Sequence, residues 1–261
     1  MKLETQCLHA GYSPESTTNS CAVPLYKTSS FVFNNTEHAA NLFGLRELGN
    51  IYTRLMNPTT DVLEQRVAAM EGGAAGLGIA SGTSAVFYSI INIAQEGDEI
   101  ISANNLYGGT YTQFNDILPK FGIKVKFVDP NDPANFAAAI TDKTKAIFCE
   151  SVSNPGLDVA DIKGIANVAD DHGIPLIVDS TFSTPYLTNP IEHGASIVIH
   201  SLTKWMGGHG NGIGGVVVDS GTFNWKNGNF PLYDEPDNSY HGLRWGHDLP
   251  EPLAPLAFIL R

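Results

Sequence analysis

The 261-residue chain carries 15 Lys and Arg against 27 Asp and Glu, a formal net charge of −12, with 43% hydrophobic and 16% charged residues. It is too apolar and too sparsely charged for a disordered chain, and it lacks the basic face that nucleic acid or an anionic membrane requires. No apolar run approaches the roughly 20 residues of a spanning helix, and MKLETQCLHAGY has neither the basic start nor the apolar stretch of a signal peptide.

Residues 1–56 are rich in Thr, Ser and Asn and weakly periodic, which predicts an extended arm. From 57 to 220 short β-branched runs alternate with helical patterns. Leu63, Val67 and Met70 predict a helix capped by Thr60 or Asp61. Strands are expected at 76–80, 99–103, 124–128, 146–149, 175–179, 197–200 and 215–218. Helices are expected at 81–94, at 111–121, and through Ile162, Ile165 and Ala169 to a stop at His172-Gly173. This alternation predicts a three-layer α/β fold, a mostly parallel seven-stranded sheet with helices on both faces and at least one antiparallel strand. Residues 221–250, rich in Asn, Pro and aromatics, predict an irregular insertion. Residues 251–261, with LAFILR, are expected to open a helix and a C-terminal domain that is otherwise missing.

Open parallel sheets bind ligands at the carboxyl ends of their strands. One such end is Asp179, a carboxylate pinned after an apolar strand and in need of a cationic or proton-donating partner. The next strand runs into Ser201, Thr203 and Lys204. Two hydroxyls one residue apart can face a phosphate, and a partly desolvated Lys is a usable amine nucleophile. Ser81, Gly82 and Thr83 open a helix, where free N–H groups bind anions. Tyr107 precedes two glycines and could lay its ring on a flat ligand. Each has a plainer reading by itself: a turn residue for Asp179, a surface side chain for Lys204, a helix cap for Ser81, core packing for Tyr107. Gly210-x-Gly212-x-x-Gly215 matches a dinucleotide fingerprint in letters only, because it precedes a strand rather than joining a strand to a helix. Cys7, Cys21 and Cys149 are odd in number and widely spaced, and the histidines lack ligand spacing. These features predict a reduced, cytoplasmic protein without a metal site. Together the strand ends offer an acid, an amine, hydroxyls, a helix start and an aromatic. That set suits pyridoxal 5'-phosphate, with the lysine forming a Schiff base and the acid keeping the pyridine nitrogen protonated.

The segments EHAANLFGLRELGNIYTRLMNPT, SGTSA, LYGGTY, VDSTFSTPYL and HSLTKWMGGHGNGIGGVVVD resemble the fold-type-I pyridoxal phosphate enzymes of cysteine and methionine metabolism, and the likeness runs from Leu3 to Arg261. The resemblance implies that Lys204 bonds the cofactor, Asp179 binds the ring nitrogen and Tyr107 stacks on the ring. Ser81, Gly82, Thr83, Ser201 and Thr203 would hold the phosphate, and Asn154 would approach the ring hydroxyl. Tyr52 and Arg54 would reach the phosphate of a neighbouring subunit, in a dimer or tetramer. Residues 223–245 are similar to the sulfhydrylase branch. That branch implies conversion of O-acetylhomoserine and sulfide, or a thiol, to homocysteine and acetate. A methionine γ-lyase or a cystathionine γ-synthase or lyase is the alternative, as is a fragment that only binds cofactor. Gly109 stands where the γ-lyases tend to carry Cys, Ser180 where the family usually shows Asn, and Lys27 where Gln is common. Relatives continue for over a hundred residues, into a domain with the arginine that binds the substrate α-carboxylate.

Overall fold

The structure is a computed structural model that describes residues Met1–Arg261. The chain forms two compact units, Met1–Met70 and Glu71–Arg261.

The first unit contains helices α1 (Leu3–His9), α2 (Thr36–Phe43) and, but for its last residue, α3 (Pro58–Glu71). Two short helices thus punctuate the stretch expected to be extended. Asn35 caps α2 by accepting the His38 N–H at 2.8 Å. Asn57, rather than Thr60 or Asp61, caps α3: its side-chain oxygen accepts the Thr59 N–H at 2.9 Å. The helix starts earlier than expected because Pro58 is tolerated in the first turn, where no intrahelical donor is needed. Val62, Val67, Ala68 and the terminal Glu71 are its buried positions, while Leu63 is 39% exposed.

The second unit is built on one sheet. Its elements are β1 (Ala75–Ile79), α4 (Gly82–Ile91), β2 (Glu99–Ala103), α5 (Gly108–Thr112), β3 (Lys124–Val128), α6 (Pro133–Ala139), β4 (Thr144–Glu150), α7 (Ile162–Asp171), β5 (Leu176–Asp179), α8 (Thr184–Leu187), β6 (Ile197–Ser201) and β7 (Gly215–Asp219). A π turn and a 3-10 turn continue α5 to Phe121, and Gly122 ends that run in the left-handed conformation at φ 76°. The strand order is β1-β7-β6-β5-β4-β2-β3. Only β7 runs antiparallel to its neighbours, so the mostly parallel seven-stranded sheet is present as expected. The connections β1 to β2 and β2 to β3 cross the sheet one way, and those from β3 through β6 return. Right-handed crossovers therefore put α4 and α5 on one face and α6 and α7 on the other. In agreement, α4 packs on α5 and α6 on α7. Ile100, Ile101, Ile147, Phe148, Ile177 and Val198 are closed from solvent between these layers.

After β7 the chain is largely irregular, with one-turn helices α9 (Pro231–Asp234) and α10 (Ala257–Leu260). Aromatic packing holds it. Trp225 stacks on Tyr233 with ring centroids 4.4 Å apart and on Phe258 at 5.6 Å, with Phe230 edge-on at 5.1 Å. No helix is long and apolar enough to cross a membrane.

Asp219 ends β7 in a fully buried position, with one oxygen accepting the Gly221 N–H at 2.9 Å and the other without a partner. Burial pushes its carboxyl up to about 7. Between the ordinary value of 3.8 and that figure, the folded chain keeps a proton that the unfolded chain has lost. Stability therefore falls as pH rises through this window. Thermal melts of Asp219→Asn across the window should show a shallower decline in Tm than the wild type, and equal slopes would contradict this account.

Candidate active site

The carboxyl ends of β4, β5 and β6, the turn after β2 and the start of α4 converge on one cavity of about 620 Å³. That size admits a flat cofactor with a small substrate. Asp179 lies at its base as the last residue of β5. One of its oxygens accepts the Thr181 N–H at 3.0 Å. Burial raises its carboxyl above the ordinary carboxylate range, and no ion pair supplies it with a cation.

The next wall is β6 and the turn that follows. Ser201 ends the strand, and its N–H donates to Thr181 Oγ1 at 2.8 Å. The Thr203 hydroxyl both donates to the Gly214 carbonyl and accepts its N–H, each at 3.2 Å. Lys204 lines the same wall. Its side chain is exposed, a correction to the partly desolvated setting expected for it, because it stands on the turn beyond the strand rather than within the sheet.

Packed directly against Ser201 lies the first turn of α4. The Ser81 hydroxyl caps the helix, accepting the Ser84 N–H at 3.1 Å. Gly82 and Thr83 follow in the first turn, where amide N–H groups have no intrahelical acceptor and the helix dipole favours an anion. The sheet presses tightly on this turn. A Cβ at Gly82 would meet Ser201 Cβ at 2.5 Å, and one at Gly215 would meet the Ser81 carbonyl oxygen at 2.3 Å. Gly215, the last glycine of the apparent dinucleotide fingerprint, thus serves a close approach of β7, while Gly210 and Gly212 face open space, consistent with setting that reading aside. Tyr107 supplies a side wall and is 48% exposed. Its ring lies over Gly109, where a Cβ would stand 2.5 Å from Tyr107 Cε1. Asn154 borders the cavity after β4.

All expected site residues of the second unit therefore line this cavity. Tyr52 and Arg54 belong to the first unit, both exposed, with the Arg54 guanidinium 5.5 Å from the Tyr52 ring centroid. Among the further lining residues that the sequence reading misses are Glu150 and Thr181. Glu150 carries the same signal that picked out Asp179, an acid at the end of an apolar strand. The sequence pattern ends β4 at Cys149, one residue early, which leaves Glu150 outside the expected strand end. Behind the acids, the hydroxyl of Ser180 lies 2.7 Å from that of Ser183 and 3.2 Å from that of Ser151, and Ser151 and Ser183 are 2.8 Å apart. This buried knot ties the ends of β4 and β5 together.

A lysine, an acid without a cation, an exposed aromatic and a helix start with spare donors around one slot define a site for a phosphorylated aromatic aldehyde. The chain belongs to the Cys/Met metabolism PLP-dependent enzyme family, whose model matches residues 4–235. It is 55% identical to an O-acetyl-L-homoserine sulfhydrylase from Leptospira meyeri, over 100% of this chain and 60% of that protein. It is 51% identical to O-acetyl-L-homoserine sulfhydrylase 1 from Thermus thermophilus, over 100% of this chain and 62% of that protein. The chain thus spans about 60% of the length of these relatives. Among solved structures, a provisionally named O-acetylhomoserine (thiol)-lyase from Campylobacter jejuni superposes with a TM-score of 0.91 at 40% identity, over 100% of this chain and 69% of that one. It carries N'-pyridoxyl-lysine-5'-monophosphate at its position 205.

The residues present fit pyridoxal phosphate. Asp179 lacks the positive partner that a pyridinium N–H supplies, and Gly82 keeps the first turn of α4 against Ser201. Gly82→Ala should separate the two. The expected result is a loss of pyridoxal phosphate affinity of about tenfold or more with an unchanged far-ultraviolet circular dichroism spectrum. Titration of the visible cofactor band checks it, and wild-type affinity would count against the tight approach.

Proposed function

We propose that this protein is a pyridoxal phosphate-dependent transferase that forms homocysteine and acetate from O-acetylhomoserine and sulfide, or a thiol in place of sulfide. The observation that carries the reading is Lys204 facing a single cavity with Asp179, Tyr107 and the start of α4. The identity to sulfhydrylases along the entire chain favours this chemistry over γ-lyase or cystathionine chemistry. The pyridoxyl-lysine of the Campylobacter structure is numbered one away from Lys204, which supports the choice of lysine.

Bound in this slot, pyridoxal phosphate supplies an electron sink for negative charge at the substrate α-carbon. Lys204 holds the cofactor through its amine and, when released, moves the α-proton as a general base. Asp179 would accept the ring N–H and keep that nitrogen protonated. Tyr107 would supply the surface for the ring face, and Asn154 would serve the ring hydroxyl. The first-turn amides of α4 with the hydroxyls of Thr83 and Ser201 would hold the phosphate. Ser81 shapes that turn as its cap, and Thr203 braces the turn after β6 through Gly214. Tyr52 and Arg54 serve the phosphate of a neighbouring subunit, where the Arg fork suits bidentate contact. The reading includes a homo-oligomer, a dimer or tetramer, working in the cytoplasm.

Borohydride reduction of the cofactor-loaded protein, followed by peptide mapping, should place the pyridoxyl group on Lys204. Lys204→Ala should yield no adduct and should lower homocysteine formation by at least about a hundredfold. An adduct on another lysine, or full turnover by the variant, would overturn the assignment.

A further inference from the structure

Glu150 has no part in the chemistry described so far, yet it is 8% exposed and lies inside the cofactor cavity. It pairs in parallel register with Asp179. Residues paired in this way project to the same face of the sheet, from strands about 4.8 Å apart. The two acids nevertheless stand in different surroundings. Asp179 meets Thr181 and then the cavity. Glu150 spends both oxygens on backbone amides: Oε1 accepts the Tyr107 N–H at 2.7 Å and Oε2 accepts the Asn154 N–H at 3.2 Å. One donor follows β2 and the other follows β4, so a single buried carboxyl joins the two loops, which Asn105 links again at the surface by donating to Asp158 at 3.1 Å. With both oxygens engaged, Glu150 is not placed to serve the ring nitrogen, whereas Asp179 is.

We propose that Glu150 is a positioning residue, a carboxyl clamp that sets Tyr107 and Asn154 at the spacing of the pyridine ring and leaves Asp179 as the acid that meets the ring nitrogen. The inference rests on the reading of this cavity as a pyridoxal phosphate site. Burial and the neighbouring Asp179 push the Glu150 carboxyl up to about 8, against the pull of the two amides. Glu150, raised by burial and by Asp179 while both its oxygens stay engaged, suits a structural rather than a charge-bearing task. The backbone N–H of Tyr107 is the group held, so the clamp acts on the hinge of the ring and not on its face.

The test compares wild type, Glu150→Gln and Glu150→Ala, each loaded with pyridoxal phosphate, by affinity and by visible circular dichroism of the bound cofactor. Dichroism per bound cofactor reports how the ring is held, which a loss of general stability does not alter. Glu150→Gln keeps one oxygen for one amide and should bind about tenfold more weakly, with altered dichroism. Glu150→Ala leaves both amides without an acceptor and should lose about a hundredfold, with the band near featureless in dichroism. If Glu150→Ala does not fold, the Gln variant alone decides. Wild-type affinity and dichroism in Glu150→Gln would overturn the clamp, as would weaker binding with unchanged dichroism per cofactor. If wild type itself gives no borohydride-stable adduct on Lys204, the cofactor reading falls and this inference falls with it; an intact wild-type adduct confines any failure to Glu150.

Discussion

The site depends on how closely β6 and β7 approach the first turn of α4. There is no room for one carbon atom between Gly82 and Ser201, nor between Gly215 and the Ser81 carbonyl. Close-packed interiors do not absorb a misplaced methyl group without moving something. The helix start, with its unpaired amides, is therefore locked onto the end of the strand that leads to Lys204. The antiparallel β7 is part of this device. It enters between β1 and β6 and begins at Gly215, so the loop from Lys204 to β7 must return over the same helix turn.

The sheet order places the remaining groups. Because β4, β5 and β6 are parallel neighbours, their carboxyl ends lie side by side, and each delivers one polar residue to the cavity: Glu150, Asp179 and Ser201. The serine knot fastens the first two ends from behind, and the Ser201 N–H to Thr181 bond fastens the last two. Polar groups so buried are tolerable only when bonded, and here the bonds run between strands, so satisfying them also aligns the site. Ser180 is one of the three hydroxyls in the knot, which gives that position a physical role.

The strands were legible because each is a short β-branched run closed by a polar or glycine residue, and the site followed from the rule about strand ends. Legibility failed where the closing residue looked like part of the run. Nothing in Cys149-Glu150 marks a turn, so the pattern ends β4 one residue short and leaves Glu150 out of the expected site. The α3 cap was misplaced for a related reason. A hydroxyl or acid near the apolar stripe is a plausible cap, but Pro58 moves the start back to Asn57. The exposure of Lys204 had no signal in sequence at all, since it depends on whether a turn carries the side chain away from the sheet. The first unit was hardest, because α1 buries no residue and α2 buries only Leu42, leaving little periodicity to detect.

The electrostatics of the cavity restrict what it can hold. Its floor is acidic, with Glu150 and Asp179 adjacent and no protein cation bonded to either. Its far wall is electropositive without a charged side chain, through the amides at the start of α4. Two carboxylates this close are not stable as a charged pair, and Glu150 shows the cost in a carboxyl pushed up to about 8. A purely anionic ligand would be repelled by the floor, and a purely cationic one would gain nothing from the wall. The arrangement favours a ligand with an anionic group at one end and a protonated nitrogen at the other. Such a ligand relieves Asp179 of its unpaired charge as it binds, and a charged pair formed where water is excluded is worth more than the same pair at the surface. The lysine on the open side then needs only to be within reach of the ring edge, which is why its exposure is compatible with its task.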